Sequence, residues 1–388
     1  MKKKYIILSI ITLVLLITSV TSFNYFKTTN TYVENNSNNQ TKITKGISMN
    51  LEQTAGAGDY KTVTQSGWPT EGYKFNAELS RCENGSELSW DDTKKAVIVS
   101  GNLSDKCYVY FDIWIPSIAD YCTGGTDLAT CVKNFGDQGS SVSSIYIHDS
   151  SLTNGAEDNS YRYAGANPSN YVCFGSTEST CPDANLFRII GVFGDKTKVI
   201  RAKSVGNKQW HSSRVNTWSS SSLNTYLNGE YLTSLGTLAE KIATTTWKVG
   251  GGTSANIREV VPKTAYQYEV GSNASTPTLD KKIGLMYVSD YYYAASPSAW
   301  TLVGYNSSGA TKDYRVATSI NWLYLGSNEW TLSRFSDLSD TAFFVGYAGY
   351  VSNGGVDNLI GVRPSFNLLP STTYVSGSGS MSDPVRIN

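Results

Sequence analysis

An uncharged run of nineteen residues, Tyr5 to Phe23, follows Met1-Lys2-Lys3-Lys4 and constrains this chain more than any other feature. As a helix it would span roughly 28 Å, close to the thickness of a bilayer's hydrocarbon core. Three lysines precede it and only Lys27 follows soon after, which predicts a cytoplasmic N-terminus and an exported remainder. The run has no polar face, so it does not read as a half-buried soluble helix. Two outcomes stay open. One is an uncleaved single-pass anchor within residues 1–27. The other is a signal peptide cut after Ser22, where Val20-Thr21-Ser22 offers small residues. The expected location is therefore the cell membrane with an extracytoplasmic C-terminal part, or a secreted protein after cleavage.

Export decides how the cysteines are read. Cys82, Cys107, Cys122, Cys131, Cys173 and Cys181 all lie beyond the apolar run and are even in number. Outside the cytosol such a set forms disulfides, and the expectation is three sequential pairs: Cys82–Cys107, Cys122–Cys131 and Cys173–Cys181. There is no Cys-x-x-Cys and no His beside any of them, so no zinc site is expected. No metal or other cofactor is expected.

Charge points the same way. Lys and Arg total 32 and Asp and Glu total 32, without the basic surplus that nucleic-acid binding needs. Lys2, Lys3, Lys4 and Lys27 are the only charges in residues 1–27. The remainder therefore carries 28 basic against 32 acidic side chains (32 − 4 and 32 − 0), and neutral surfaces are better partners for it than anionic polymers.

The chain divides by texture. Residues 28–46 are rich in Asn and Thr without apolar periodicity and read as a flexible stalk. From 47 to 115 short alternating runs recur: Ile47 to Leu51, Tyr73 to Leu79, Lys95 to Val99 and Cys107 to Phe111. They are separated by Asn/Gly turns and predict a small all-β domain stapled by Cys82–Cys107. Residues 116–160 read as a connecting segment, with a short helix near Asp127 to Phe135. The largest unit, 161–388, opens with a strand at Tyr171 to Phe174 and a hairpin, Phe187 to Phe193 and Lys198 to Ala202, turning at Gly194-Asp195. Leu223, Tyr226 and Leu227 lie on one helical face, and Thr237-Leu238-Ala239-Glu240 fits a capping box. Strands are expected again at 283–289, 330–333, 341–347 and 362–369, which makes the class α+β.

An ordered set of motifs runs through this last unit. Tyr171-Val172-Cys173-Phe174-Gly175 comes first, then Phe187-Arg188-Ile189-Ile190-Gly191 and Ser222-Leu223-Asn224-Thr225-Tyr226-Leu227-Asn228-Gly229. Val288-Ser289-Asp290, Trp330-Thr331-Leu332-Ser333 and Gly361-Val362-Arg363-Pro364 follow. The set resembles a family of bacterial extracytoplasmic domains of unknown function. The closing Trp and Gly-x-Arg pattern is similar to the C-type-lectin-like fold of formylglycine-generating enzymes. The resemblance implies a C-type-lectin-like α+β domain over 161–388. It does not imply oxidase chemistry, because no cysteine follows Cys181. Nor does it imply calcium-mediated sugar binding, because the Glu-Pro-Asn and Trp-Asn-Asp triplets are absent.

Catalytic sets are sparse, and no catalytic residue is expected. His148 and His211 are the only histidines, and Asp149 beside His148 would point to the opposite face of a strand. Gly250-Gly251-Gly252 lacks the Lys-Ser/Thr of a phosphate loop. Asp91-Asp92 reads as a pair of solvated turn acids. Aromatic residues are the surplus. Tyr291, Tyr292, Tyr293, Trp330, Tyr347 and Tyr350 are the candidate ligand contacts, with core packing as the competing role for the three consecutive tyrosines. Gly361, Arg363 and Pro364 are structural candidates. Arg363 is expected to be a buried cation seeking a carboxylate, with Asp337, Asp340 and Asp357 nearest in sequence, or else an anion-binding group. The expected function is non-enzymatic recognition or adhesion toward a glycan or a surface protein. The rivals are a carboxylate-dependent polysaccharide hydrolase using Asp290, Asp337, Asp340 or Asp357, and an envelope spacer.

Overall fold

The computed structural model describes residues 46–388 except 65, 66, 70, 103 and 104. The expected membrane-spanning helix is corrected as an element of the fold: no helix among the described residues is long and apolar enough to cross a membrane. The run from Tyr5 to Phe23 and residues 28–45 of the expected stalk lie outside the described residues. The chain separates into two compact units, with the division after Ile115.

The first unit is built from β1 (Ile47–Glu52), β2 (Tyr60–Val63), β3 (Tyr73–Cys82), β4 (Glu87–Asp91), β5 (Ala96–Ser100) and β6 (Cys107–Ile113). Four of them form a sheet in the order β2-β1-β6-β3, and β4 pairs with β5. The alternation in β1 has a direct consequence. Ile47, Met49 and Leu51 sit beside Cys107, Val109 and Phe111 of β6 in parallel register. Met49, Leu51, Val109 and Phe111 then close a small core with Val97. Cys82 and Cys107 are register partners on β3 and β6 and are disulfide-bonded. Sequence alternation does not announce β2, whose two central residues are exposed on an edge strand.

The second unit begins with α1 (Leu128–Gly136), β7 (Ile145–Ile147), β8 (Tyr161–Tyr163), β9 (Tyr171–Cys173), β10 (Leu186–Phe193), β11 (Lys196–Arg201) and β12 (Asn207–Lys208). Next come β13 (Thr245–Lys248), α2 (Pro262–Glu269), β14 (Thr278–Lys281), β15 (Ile283–Gly284) and α3 (Val288–Tyr293). It ends with β16 (Glu329–Arg334), β17 (Thr341–Val345), β18 (Val351–Gly355), β19 (Ile360–Gly361), β20 (Ser365–Asn367), β21 (Tyr374–Ser376) and β22 (Val385–Ile387). A nine-stranded sheet runs β15-β20-β11-β10-β9-β22-β21, with β8 also on β10 and β7 on β8. A five-stranded sheet runs β12-β19-β16-β17-β18.

Residues 116–160, expected as a connecting segment, belong to this second unit. Leu128, Val132 and Phe135 of α1 lie in its main core beside Ile189 and Val199. Cys122–Cys131 ties α1 to the segment before it, and Cys173–Cys181 closes the loop after β9. β10 is buried along nearly its whole length, as expected of a central strand covered on both faces.

Two departures from the expected elements have clear causes. The strand foreseen over 283–289 stops at Gly284, and α3 follows. The Asp290 carboxylate accepts the Tyr287 N–H at 2.8 Å, while Glu269 accepts those of Val288 and Ser289 at 3.0 and 2.7 Å. Two acids thus satisfy the N–H groups that a helix start leaves unpaired. The strand foreseen over 362–369 is split, because Gly361-Val362-Arg363-Pro364 carries the chain from the five-stranded sheet to the nine-stranded one. Pro364 has no N–H to give a ladder, yet its carbonyl accepts from Arg201 at 3.0 Å. At Gly361 a Cβ would lie 2.8 Å from the Asn328 carbonyl, so only glycine permits that approach.

Candidate functional site

The candidate ligand contacts separate into buried and accessible groups. Every residue of α3 is buried, including Tyr291, Tyr292 and Tyr293, which corrects their assignment to a binding surface. The helix packs on β16, β17 and α2, while Lys198 of β11 reaches it from the nine-stranded sheet. A helix enclosed on all sides must bury three consecutive tyrosines. Their hydroxyls confirm the role: Tyr291 donates to Gly349 O at 2.7 Å, Tyr292 to Ile257 O at 2.9 Å and Tyr293 to Asn154 O at 3.2 Å. Trp330 is likewise buried, its indole N–H spent on Lys208 O at 3.0 Å.

Arg363 is fully buried and pairs with Glu329, not with the three aspartates nearest in sequence. Its Nε and one Nη meet the two Glu329 oxygens at 2.5 and 2.8 Å, and that Nη also donates to Leu323 O at 2.7 Å. This is a structural ion pair beside the crossing between sheets.

Tyr347 and Tyr350 remain at the surface, on the Gly346 to Tyr350 turn between β17 and β18. Tyr347 is 64% exposed; its N–H is held by Asn328 Oδ1 at 2.8 Å and its carbonyl by the Tyr324 hydroxyl. Gly349 sets the turn. Its φ is +90°, and a Cβ there would lie 2.4 Å from Thr318 Cγ2. The turn therefore docks against residues 314–320 and directs Tyr350 toward Tyr305.

Tyr305 and Tyr350 are half-buried, with ring centroids 5.8 Å apart. The Arg315 guanidinium carbon lies 5.2 Å from the Tyr305 ring and 5.5 Å from that of Tyr350, and that of Arg258 lies 5.1 Å from Tyr305. Sequence reading counts Tyr305 in the aromatic surplus without singling it out as a contact, and it missed Arg258 and Arg315, since the three come from separate loops. The backbone holds them together: Tyr305 N–H donates to Arg258 O at 3.1 Å and Val351 N–H to Gly304 O at 3.0 Å.

Both guanidinium charges are already met. Arg258 pairs with Glu259 at 2.5 Å and donates to Asn353 Oδ1 at 2.5 Å. Arg315 forks onto Asp313, which also accepts the Asn306 N–H at 2.8 Å. Burial would raise the Asp313 carboxyl, but the Arg315 guanidinium and backbone N–H donors overcome that and hold it below the usual carboxylate range. The hydrogen bond to Asp313 in turn raises Arg315. Two Arg, one Asp and one Glu leave the patch neutral, with aromatic faces and amide groups as its chemistry.

The histidines and aspartates weighed for catalysis lie apart from this patch. His148 is buried, accepts the Ala156 N–H on Nδ1 at 3.0 Å and packs edge-on to Tyr293 at 4.6 Å. Asp149 is turned away to Ser151. His211 accepts from Ser213 N at 3.2 Å. Asp340 and Asp357 both reach Arg214, at 3.8 and 3.3 Å, while Asp290 is buried against Lys198 and Asp337 is exposed. Among the described residues no three His, Cys, Asp or Glu side chains gather as a metal site.

Residues 194–370 match the family model described as Domain of unknown function (DUF6273). The match begins at the β10–β11 turn and runs past Gly361-Val362-Arg363-Pro364, and it includes the whole Tyr305/Tyr350 patch. It lies inside the 161–388 span drawn from motif order. No curated protein and no solved structure matches the chain.

Proposed function

We propose that this protein is a non-enzymatic recognition module that works outside the cytoplasm and binds a neutral, hydroxyl-rich glycan at Tyr305 and Tyr350. The observation that carries the reading is the pairing of two half-buried tyrosines beside guanidinium groups already neutralised by Asp313 and Glu259. Rigid tyrosine rings offer apolar faces to sugar C–H groups at low entropic cost. An anionic ligand would find no unpaired charge there. Three disulfides support an oxidising location.

A glycan array probed with the full chain and with Tyr305→Ala and Tyr350→Ala tests this. Binding should fall about tenfold or more in each variant, the size expected for losing one aromatic anchor, with near-UV circular dichroism unchanged. Retention of a surface protein and no glycan would shift the ligand class. Turnover of a polysaccharide would replace the reading with a hydrolase, and Asp340 and Asp357, drawn together on Arg214, would then be the carboxylates to change.

A further inference from the structure

Lys198 and Asp290 are far apart in sequence and meet in the interior of the second unit. Lys198 lies mid-strand on β11 and Asp290 in the first turn of α3, 92 residues later. Nζ stands 2.5 Å from Asp290 Oδ2, with side-chain exposures of only 7% and 4%. Aromatic rings enclose the ammonium: Tyr287 at 4.8 Å, Trp247 at 5.6 Å and Phe193 at 5.7 Å. The other lysine–carboxylate pairs among the described residues are open to water, with each lysine side chain at least 38% exposed. The other deeply buried pairs, Arg162–Asp158 and Arg363–Glu329, use guanidinium groups, which are not acyl acceptors.

We propose that Lys198 and Asp290 condense to an intramolecular amide, a covalent cross-link between β11 and α3. The reaction balances within the pair. A proton passes from Nζ to Oδ2 along their hydrogen bond, leaving a neutral amine and a neutral carboxylic acid. The Nζ lone pair forms the Nζ–Cγ bond, the Cγ–Oδ2 bond breaks, and the hydroxyl departs as water with a second proton from Nζ. No oxidant, cofactor or activating group is consumed.

Four features of the site favour the product. Two buried charges carry a desolvation penalty, and an amide removes both. A fixed amine and acid react at effective molarities of about 10⁵–10⁸ M when well oriented, and the aromatic enclosure excludes the water that would reverse the step. The carboxylate is also fixed. Oδ2 accepts the Tyr287 N–H at 2.8 Å, and Glu269, itself held by the Ser333 hydroxyl of β16, anchors the same helical turn through Val288 and Ser289. Burial, reinforced by the charge of Arg162, lowers the Lys198 ammonium below its ordinary value, which favours the nucleophilic amine even though Asp290 and Glu269 oppose it. Arg162 itself is engaged by Asp158 at 2.6 Å.

The test is mass spectrometry of the purified full chain after complete reduction of its disulfides. The expected result is a mass short of the sequence by one water, and a protease digest in which one branched peptide joins the segments holding Lys198 and Asp290. The linked chain should also migrate faster than expected on a reducing denaturing gel, because a loop with a sequence separation of 92 is closed. Lys198→Arg keeps the positive partner for Asp290 but cannot condense, so it should restore the full mass and the normal migration. Recovery of Lys198 and Asp290 in separate, unmodified peptides overturns the proposal. So does a deficit that persists in Lys198→Arg, which would place the lost water elsewhere. Either outcome leaves the glycan reading untouched.

Discussion

Replacing Glu329 by Gln tests whether Arg363 belongs to the scaffold. The substitution preserves shape and removes the charge that answers a guanidinium with no exposed surface. Arg363 would keep its bond to Leu323 O and lose the carboxylate that meets it at 2.5 and 2.8 Å. One Arg363 Nη already lacks a protein partner, so the site has no spare acceptor to compensate. Removing one member of a buried pair costs about 3–5 kcal/mol, a large part of the roughly 5–15 kcal/mol that stabilises a typical domain. Urea unfolding followed by tryptophan fluorescence suits the measurement, because Trp210, Trp218, Trp247, Trp300 and Trp330 are all buried in this unit. The double replacement Glu329→Leu/Arg363→Met should cost less than Glu329→Gln alone, since it removes both charges. A Glu329→Gln protein within about 1 kcal/mol of the parent would refute the argument, since an exposed pair behaves that way.

Other perturbations address separate parts of the molecule. Cys82→Ala/Cys107→Ala opens a loop with a sequence separation of 25; it should destabilise the first unit by roughly 3.5 kcal/mol on loop-closure entropy, measurable as a lower urea midpoint for that unit. His148 is pushed down to about 2 by burial and by Arg162, so the folded protein keeps it neutral where the unfolded chain protonates it. Its contribution is intact above the unfolded value near 6.5 and is lost as pH falls below it, at up to about 1.4 kcal/mol per pH unit. His148→Asn should flatten that slope between roughly pH 6.5 and 4.5 in denaturation curves; an unchanged slope would assign it to other groups. Glu269 and Glu329, raised by burial, act in the opposite direction as pH rises above about 4.5 and remain present in both proteins. Gly349→Ala should cost about 1–3 kcal/mol through its strained φ, and it should displace Tyr350, so glycan binding and the unfolding midpoint fall together.

Local features were legible in the residues themselves. The β10–β11 hairpin follows from two apolar runs around Gly194-Asp195, and α1 from its apolar spacing after Asp127. The three disulfides join cysteines 8, 9 and 25 positions apart, so pairing neighbours in sequence also paired neighbours in space. Of the aromatic candidates, sequence set Tyr347 at the end of the strand foreseen over 341–347, which stops at Val345, and left Tyr291, Tyr292 and Tyr293 between core and surface. Nothing in their composition separates the two fates, because a tyrosine has both an apolar body and a polar tip.

The tertiary structure decided what depends on distant segments meeting. Periodicity reports the one face that an element turns to a core, so it was silent for α3, which is covered on every side. It was silent too on Arg363 choosing Glu329 over nearer aspartates, because the partner is set by strands brought together in one sheet. Tyr305 joined Tyr350, and Lys198 joined Asp290, through the packing of loops and sheets far apart in the chain. Short-range order is written in spacing and turn chemistry, which residues carry individually. Which charges share a desolvated interior, and which rings share an accessible face, are properties of the assembled fold, and both proposals made for this protein rest on them.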